Sequence, residues 1–216
     1  ANDYCLTAKP LVVRSVPFYS SEAFNEIPKG YKNIKLLYHG LIAPGRGLEE
    51  VIQALHYSKE YFHLTIRGAG GSSYTKSLAS LAERLRVSHR VVFEKPVPFN
   101  LIISEANKSD IGIFVMRDIS LQKKYTLPNK FFEYVMAGLA LCVSDLPEMA
   151  RIVRGYDLGL LVPGADPQKI AEMLNSLDEK KINYYKQQSL KAAKELCWEV
   201  ESQKLDCLLK DSEKYK

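Results

Sequence analysis

The chain lacks most of the features that assign a protein quickly to a special class. No uninterrupted apolar run approaches the ~18 residues of a membrane-crossing helix, and the opening ANDYCLTAKP has no apolar core of the kind a secretory signal carries. The four cysteines, Cys5, Cys142, Cys197 and Cys207, have neither CxxC nor zinc-type spacing. Reduced thiols in a cytoplasmic protein are therefore expected, with Cys142 a small core residue inside an apolar run. The four histidines, His39, His56, His63 and His89, are scattered without HxH or HExxH spacing. They read as structural, and no metal site is expected. There is no dense Lys/Arg stripe interleaved with aromatics, so nucleic acid is not expected as a partner. Internal repeats and low-complexity segments are absent as well.

What remains is ordinary for a globular protein of 216 residues: 46% hydrophobic, 25% charged, net charge +5. That length can bury a sizeable core. The positive balance favours anionic partners, namely phosphorylated small molecules or an anionic lipid surface.

From Lys35 onward, short apolar runs alternate with helical patterns. KLLYH (35–39), HLTIRG (63–68), RVVFE (90–94), IGIFVM (111–116), LALCVS (139–144) and LGLLVP (158–163) predict strands. Helices are predicted in LEEVIQALHYS (48–58), SLASLAERLR (77–86), LIISEANK (101–108) and from Pro128 to the stop at Gly138. A further helix is announced by Asp166 as N-cap and Pro167 as first helical residue. Runs apolar on both faces, in alternation with helices, predict an α/β fold with a doubly wound parallel sheet. LVVRSVP (11–17) reads as one more strand-like piece. Residues 180–216 read as two C-terminal helices, the last basic and amphipathic, with Trp198, Val200, Leu205, Leu208 and Leu209 as its apolar contacts.

In such a sheet ligands gather beyond the carboxyl ends of the strands, and four segments fall there. In YTLPNKFFEYVMAGLALCVSD (125–145), Lys130 and Glu133 share one helical face at a helix mouth. A helix N-terminus suits a phosphate, lysine adds a full charge, and a carboxylate can accept two hydrogen bonds from a ribose diol. The same residues also describe an ordinary amphipathic helix with a solvated Lys–Glu pair. HGLIAPGRGLEE (39–50) offers Gly40, Gly45 and Gly47 for close backbone approach, with Arg46 at the helix start. It resembles a P-loop without the lysine or the magnesium-binding hydroxyl, and it is equally a plain glycine turn. RGAGGSS (67–73) echoes a dinucleotide fingerprint at Gly68 and Gly70, with Ser73 in the third glycine's place and Glu94 a poor partner acid. EKPVPFN (94–100) is stiffened by two prolines and offers Val97 and Phe99 to a flat base.

Taken together, LLYHGLIAPGRGLEEVIQAL, LTIRGAGG, VVFEKPVP, PNKFFEYVMAG and LLVPGADPQKIAEML resemble the C-terminal, donor-binding half of retaining GT-B-fold glycosyltransferases of the group 1, family 4-like type. The resemblance covers roughly residues 11–178. It implies a Rossmann-like domain over 34–178, a crossover segment with a first strand over 1–33, and helices over 179–216 that pack back on a missing N-terminal acceptor domain. The implied substrate is a nucleotide-diphosphate sugar, with a UDP-sugar favoured, and no cofactor is expected. The sugar would pass with retention to a glycan or lipid-linked acceptor, as in polysaccharide biosynthesis. By resemblance, Arg46 contacts the diphosphate and Glu133 the ribose. Asn129 supplies a backbone N–H to a phosphate, Val97 meets the base, and Lys130 fits a lysine-bearing variant of the helix motif. Gly40 belongs to the same donor site, and Arg46 and Lys130 are the candidate catalytic groups. Two positions depart from the pattern: Tyr125 replaces the family's first glutamate, and Leu41 replaces a basic residue. No Asp-x-Asp occurs, so a metal-clamped leaving group is not implied. The isolated chain would bind nucleotide weakly and be inactive. The full protein would be cytoplasmic, with peripheral association at the inner face of the membrane allowed. The rival readings are a NAD-binding oxidoreductase domain using the Gly68 loop, a sugar-nucleotide epimerase or phosphorylase, and a non-catalytic interaction domain.

Overall fold

A computed structural model describes residues 10–116 and 120–206. Six strands form one sheet, all parallel, in the order β3–β2–β1–β4–β5–β6. They are β1 (Ile34–His39), β2 (Phe62–Arg67), β3 (Val91–Glu94), β4 (Ile111–Phe114), β5 (Ala140–Ser144) and β6 (Gly159–Val162). Every residue of β4 and β5 is buried, and all but Lys35 in β1. That is why these strands appear in the sequence as unbroken apolar runs. Register is fixed by core residues: Leu36 lies beside Leu64 on one side and Ile111 on the other.

The helices sort into two layers. α1 (Leu48–Tyr57), α2 (Ser72–Arg84) and α7 (Pro167–Asn175) cover one face. α3 (Ile102–Ala106), α5 (Asn129–Met136), α6 (Pro147–Tyr156) and α8 (Glu179–Ala193) cover the other. A right-handed crossover puts the helices of β1–β2–β3 on one face and those of β4–β5–β6 on the opposite one, because the strand order runs outward in both directions from the β1/β4 pair. α4 (Leu121–Lys124) and α9 (Trp198–Glu201) are single turns. Asp166 caps α7 by accepting from the N–H groups of Gln168 and Lys169, with Pro167 as the first helical residue, as the sequence predicts.

Three expectations need correction. LVVRSVP (11–17) joins no ladder of the sheet. It is instead tied to the C-terminal turns: Arg14 N–H and guanidinium donate to Glu201, and Trp198 N–H donates to the Pro17 carbonyl at 2.8 Å. An extended apolar stretch satisfied by side chains at the chain's far end looks, in sequence, like a strand. The last turn also buries Glu201 rather than an apolar stripe, while Val200 and Leu205 are exposed. Leu208, Leu209, Cys5 and Cys207 lie outside the described residues. Finally, α6 fills the gap between β5 and β6 that the sequence reading leaves without a helix; its Arg and Glu positions hide a buried face of Met149, Ala150, Ile152 and Val153. α8 packs on α5 and β5 of this same domain, and its Lys186 is buried against Asp110 at 3.0 Å.

Candidate functional site

Sheet order directs attention to one place. Strand order reverses between β1 and β4, and at such a switch point the loops leaving the carboxyl ends diverge and leave a crevice. A cavity of about 510 Å³ lies there. It is lined by the ends of β1 and β2 (His39, Gly40, Arg67, Gly68), by Arg46, by Pro96 and Val97 after β3, and by the start of α5 from Pro128 to Glu133. Gly40, Arg46, Val97, Asn129, Lys130 and Glu133, all candidates from sequence, therefore face one cavity. Tyr125 does not line it; it ends α4 and is 55% exposed. Leu41 does line it and is exposed.

Close backbone approach builds the floor. A Cβ on Gly68 would lie 1.7 Å from the Gly40 carbonyl oxygen, and one on Gly47 1.4 Å from that of Val115. The glycine of RGAGGSS is thus required by strand-end packing. Neither α1 nor α5 has a side-chain cap at its N-terminus, so the first N–H groups of both helices have no side-chain partner.

Lys130 is the most unusual residue of the site. Its side chain is buried, with Nζ 3.7 Å from the Tyr38 ring centroid and 4.7 Å from that of Phe114. Among the described residues no hydrogen-bond partner reaches that nitrogen. Burial, and then the Arg46 guanidinium, push its pKa from 10.5 down to about 7 against the opposing pull of Glu133. A Cβ on Gly40 would stand 3.2 Å from Nζ, so the glycine keeps the amino group's surroundings open. A lysine held this way gains little for the fold beyond cation–π contact, and it is disposed to accept an anion.

Glu133 lies one turn further along α5. Its Oε2 is 2.8 Å from His39 Nε2, so the ring nitrogen faces the carboxylate directly. The imidazole is stacked on Tyr134, centroids 4.8 Å apart, and the His39 backbone N–H donates to the Tyr134 hydroxyl at 3.1 Å. At the other end of the cavity the Nε of Arg67 donates to Glu94 Oε2 at 2.8 Å, while its NH1 is buried and unpartnered. His39 and Arg67 are the site residues that sequence reasoning missed. Each is a polar residue that closes an apolar strand just before a glycine, and that position is the signal the sequence carries for them; His39, expected from its isolated spacing to be structural, lines the cavity.

The chemistry of the lining is therefore specific: Arg46 and Lys130 are its unpaired cations among the described residues, Arg67 is offset by Glu94 and His39 faces Glu133, which suits an anionic ligand with a hydroxyl-bearing portion. Cys142, by contrast, is sealed in β5, where burial pushes its thiol up to about 12. No group of histidine, cysteine and acidic side chains among the described residues could hold a metal ion. No helix among them is long and apolar enough to cross a membrane.

Comparison with solved structures finds the same fold. WaaG, a glycosyltransferase involved in lipopolysaccharide biosynthesis, superposes with a TM-score of 0.63 at 15% identity, over 86% of this chain and 54% of that one. HepE from Anabaena, solved with UDP and glucose, gives 0.68 at 17% identity, over 83% and 49%. Sucrose-phosphate synthase from Thermosynechococcus elongatus gives 0.69 at 15% identity, over 85% and 46%. The chain thus spans about half the length of these proteins, all of the GT-B architecture. No curated protein matches the chain. The profile of the glycosyl transferases group 1 family matches residues 33–179, which take in all six strands and every residue of the cavity. The chain belongs to the glycosyl transferases group 1 family.

Proposed function

We propose that this chain is the donor-binding half of a glycosyltransferase and that its switch-point cavity holds a nucleotide-diphosphate sugar. One observation carries the reading. Two buried side-chain nitrogens without a hydrogen-bond partner among the described residues line this cavity: Arg67 NH1 and Lys130 Nζ. Each unmet donor costs about 1–3 kcal/mol, so their convergence makes sense as preparation for a ligand rather than for stability.

In this account the diphosphate lies between Arg46 and Lys130 at the mouths of α1 and α5, with the backbone N–H of Asn129 as a further donor. Glu133 accepts from the ribose diol, Gly40 leaves room beside the phosphates, and Val97 flanks the base. A UDP-sugar is favoured because HepE, of the same fold, was solved with UDP and with UDP-glucose. As the donor's glycosidic bond to the diphosphate breaks, negative charge grows on the leaving oxygen. Arg46 and Lys130 stabilise that charge, groups of this kind contributing about 2–4 kcal/mol each. The sugar passes with retention to a glycan or lipid-linked acceptor held by an N-terminal domain of the same protein, and the half alone does not turn over. Work in the cytoplasm at a membrane surface accords with the net positive charge. The family assignment does not favour the NAD-binding alternative, and Gly68 has a packing reason to be glycine.

The test is calorimetry with UDP, GDP, ADP, CMP and NAD on the protein and on Glu133→Ala. Selective binding of a nucleoside diphosphate, weakened about tenfold or more by the substitution, is the expected result. Preference for NAD, or affinity indifferent to Glu133, refutes the proposal.

A further inference from the structure

The catalytic scheme leaves Arg67 unused. It ends β2, more than nine-tenths buried, on the same cavity as Lys130 but two strands away from the β4 side, across β1. Neighbouring strands lie ~4.8 Å apart, so the cavity runs laterally from Lys130 and Arg46, through Arg67, to Pro96 and Val97 beyond β3. The anion-binding groups sit at one end and apolar walls, Pro96, Val97 and Ile102, at the other. Arg67 belongs to the second end. The Glu94 carboxylate, bonded to its Nε at 2.8 Å, offsets its charge and fixes the plane of the guanidinium. What is left over is a directional donor, NH1, buried and without a partner. A neutralised, oriented N–H beside apolar walls fits a carbonyl oxygen on a flat ring better than a phosphate.

Resting on the donor-site reading above, we infer that Arg67 reads the base: it donates NH1 to the exocyclic carbonyl at position 4 of a pyrimidine or position 6 of a purine, so the cavity accepts uracil, thymine or guanine nucleotides and rejects cytosine and adenine. Cytosine and adenine carry an amino group where uracil and guanine carry oxygen. Two N–H groups would then face one another, and the buried donor would remain unmet. Glu94 is the positioning residue that holds the fork in place.

The experiment measures binding of UDP, CDP, GDP, ADP and inorganic pyrophosphate to the wild-type protein, to Arg67→Met and to Arg67→Lys. The expected result is UDP over CDP, and GDP over ADP, by roughly tenfold to a hundredfold, the usual range for a hydrogen bond from a charged donor. Both ratios should fall towards one in Arg67→Met with pyrophosphate affinity unchanged. Arg67→Lys, which keeps the charge but cannot serve Glu94 and a base at once, should lose most of the discrimination. Equal affinity for UDP and CDP in the wild type overturns the inference whether or not the variants fold. So does discrimination that survives both substitutions. Loss of pyrophosphate affinity in Arg67→Met would make the residue an anion ligand instead. If neither pyrophosphate nor any nucleotide binds, the donor-site reading itself fails and takes this inference with it; pyrophosphate binding without base preference refutes Arg67 alone.

Discussion

Replacing Lys130 with methionine should make the protein more stable and less able to bind phosphate. The lysine has no salt bridge among the described residues to repay its burial, and its ammonium rests against the Tyr38 and Phe114 rings. Holding its pKa at about 7 rather than 10.5 costs the folded state on the order of 4–5 kcal/mol at neutral pH. Methionine fills similar space without charge, and the lost cation–π contact returns roughly 1–2 kcal/mol to the wild type. A net gain of about 2–4 kcal/mol remains, or roughly 5–15 °C in melting temperature for a domain of this size. The pH dependence has a fixed sign. Because the folded value is the lower one, the unfolded chain binds the extra proton between about pH 7 and 10.5, and wild-type stability rises across that window. Denaturant melts of both proteins at pH 7 and at about pH 9.5 isolate the residue, since other titrations cancel in the difference. The advantage of the variant should be largest at pH 7 and shrink as pH rises. If Lys130→Met is no more stable at pH 7, or if the gap is flat with pH, the lysine is not a strained cation awaiting an anion. Pyrophosphate affinity, measured alongside, should fall in the variant and, in the wild type, weaken as pH rises above 7.

Two further outcomes follow from the same geometry. Gly68→Ala drives a Cβ to within 1.7 Å of the Gly40 carbonyl oxygen, backbone against backbone; the two strand ends must part, so both stability and nucleotide affinity should drop, and an unchanged melt would refute the close approach. At Glu201, burial alone would raise the carboxyl, but hydrogen bonds from Arg14 and Lys204 outweigh it and hold its pKa at about 2. The stability this pair of contacts supplies is present above about pH 4.5 and fades as pH falls towards 2. Acid melts of Glu201→Gln should therefore converge on the wild type at low pH, and a constant difference would show that charge is not involved.

The doubly wound fold was legible because β1, β4 and β5 are buried on both faces and appear as continuous apolar runs, and because Asp166–Pro167 and Gly138 mark helix ends with their own chemistry. α6 was not legible: its Arg151, Arg154 and Glu148 dilute the apolar period, and its start at Pro147 follows directly on a strand. LVVRSVP misled for the opposite reason, an apolar stretch whose partners, Glu201 and Trp198, lie at the other end of the chain. At the site, Arg46, Lys130 and Glu133 stood out because each sits beside a glycine turn or at a helix mouth, where local sequence carries the signal. The pairing of Lys130 with two aromatic rings, the contact of Glu133 with His39 and the orphaned nitrogen of Arg67 depend on strand order. Order comes from crossover handedness and packing between segments far apart in the chain, and no single motif encodes it.

The most direct test of the central claim is a crystal structure of the protein with UDP bound. The account predicts the diphosphate between Arg46 and Lys130 at the mouths of α1 and α5, the ribose hydroxyls on Glu133, and the base against Val97. UDP elsewhere on the surface, or in the cavity with its phosphates on the Arg67–Gly68 loop and its ribose away from Glu133, would contradict it.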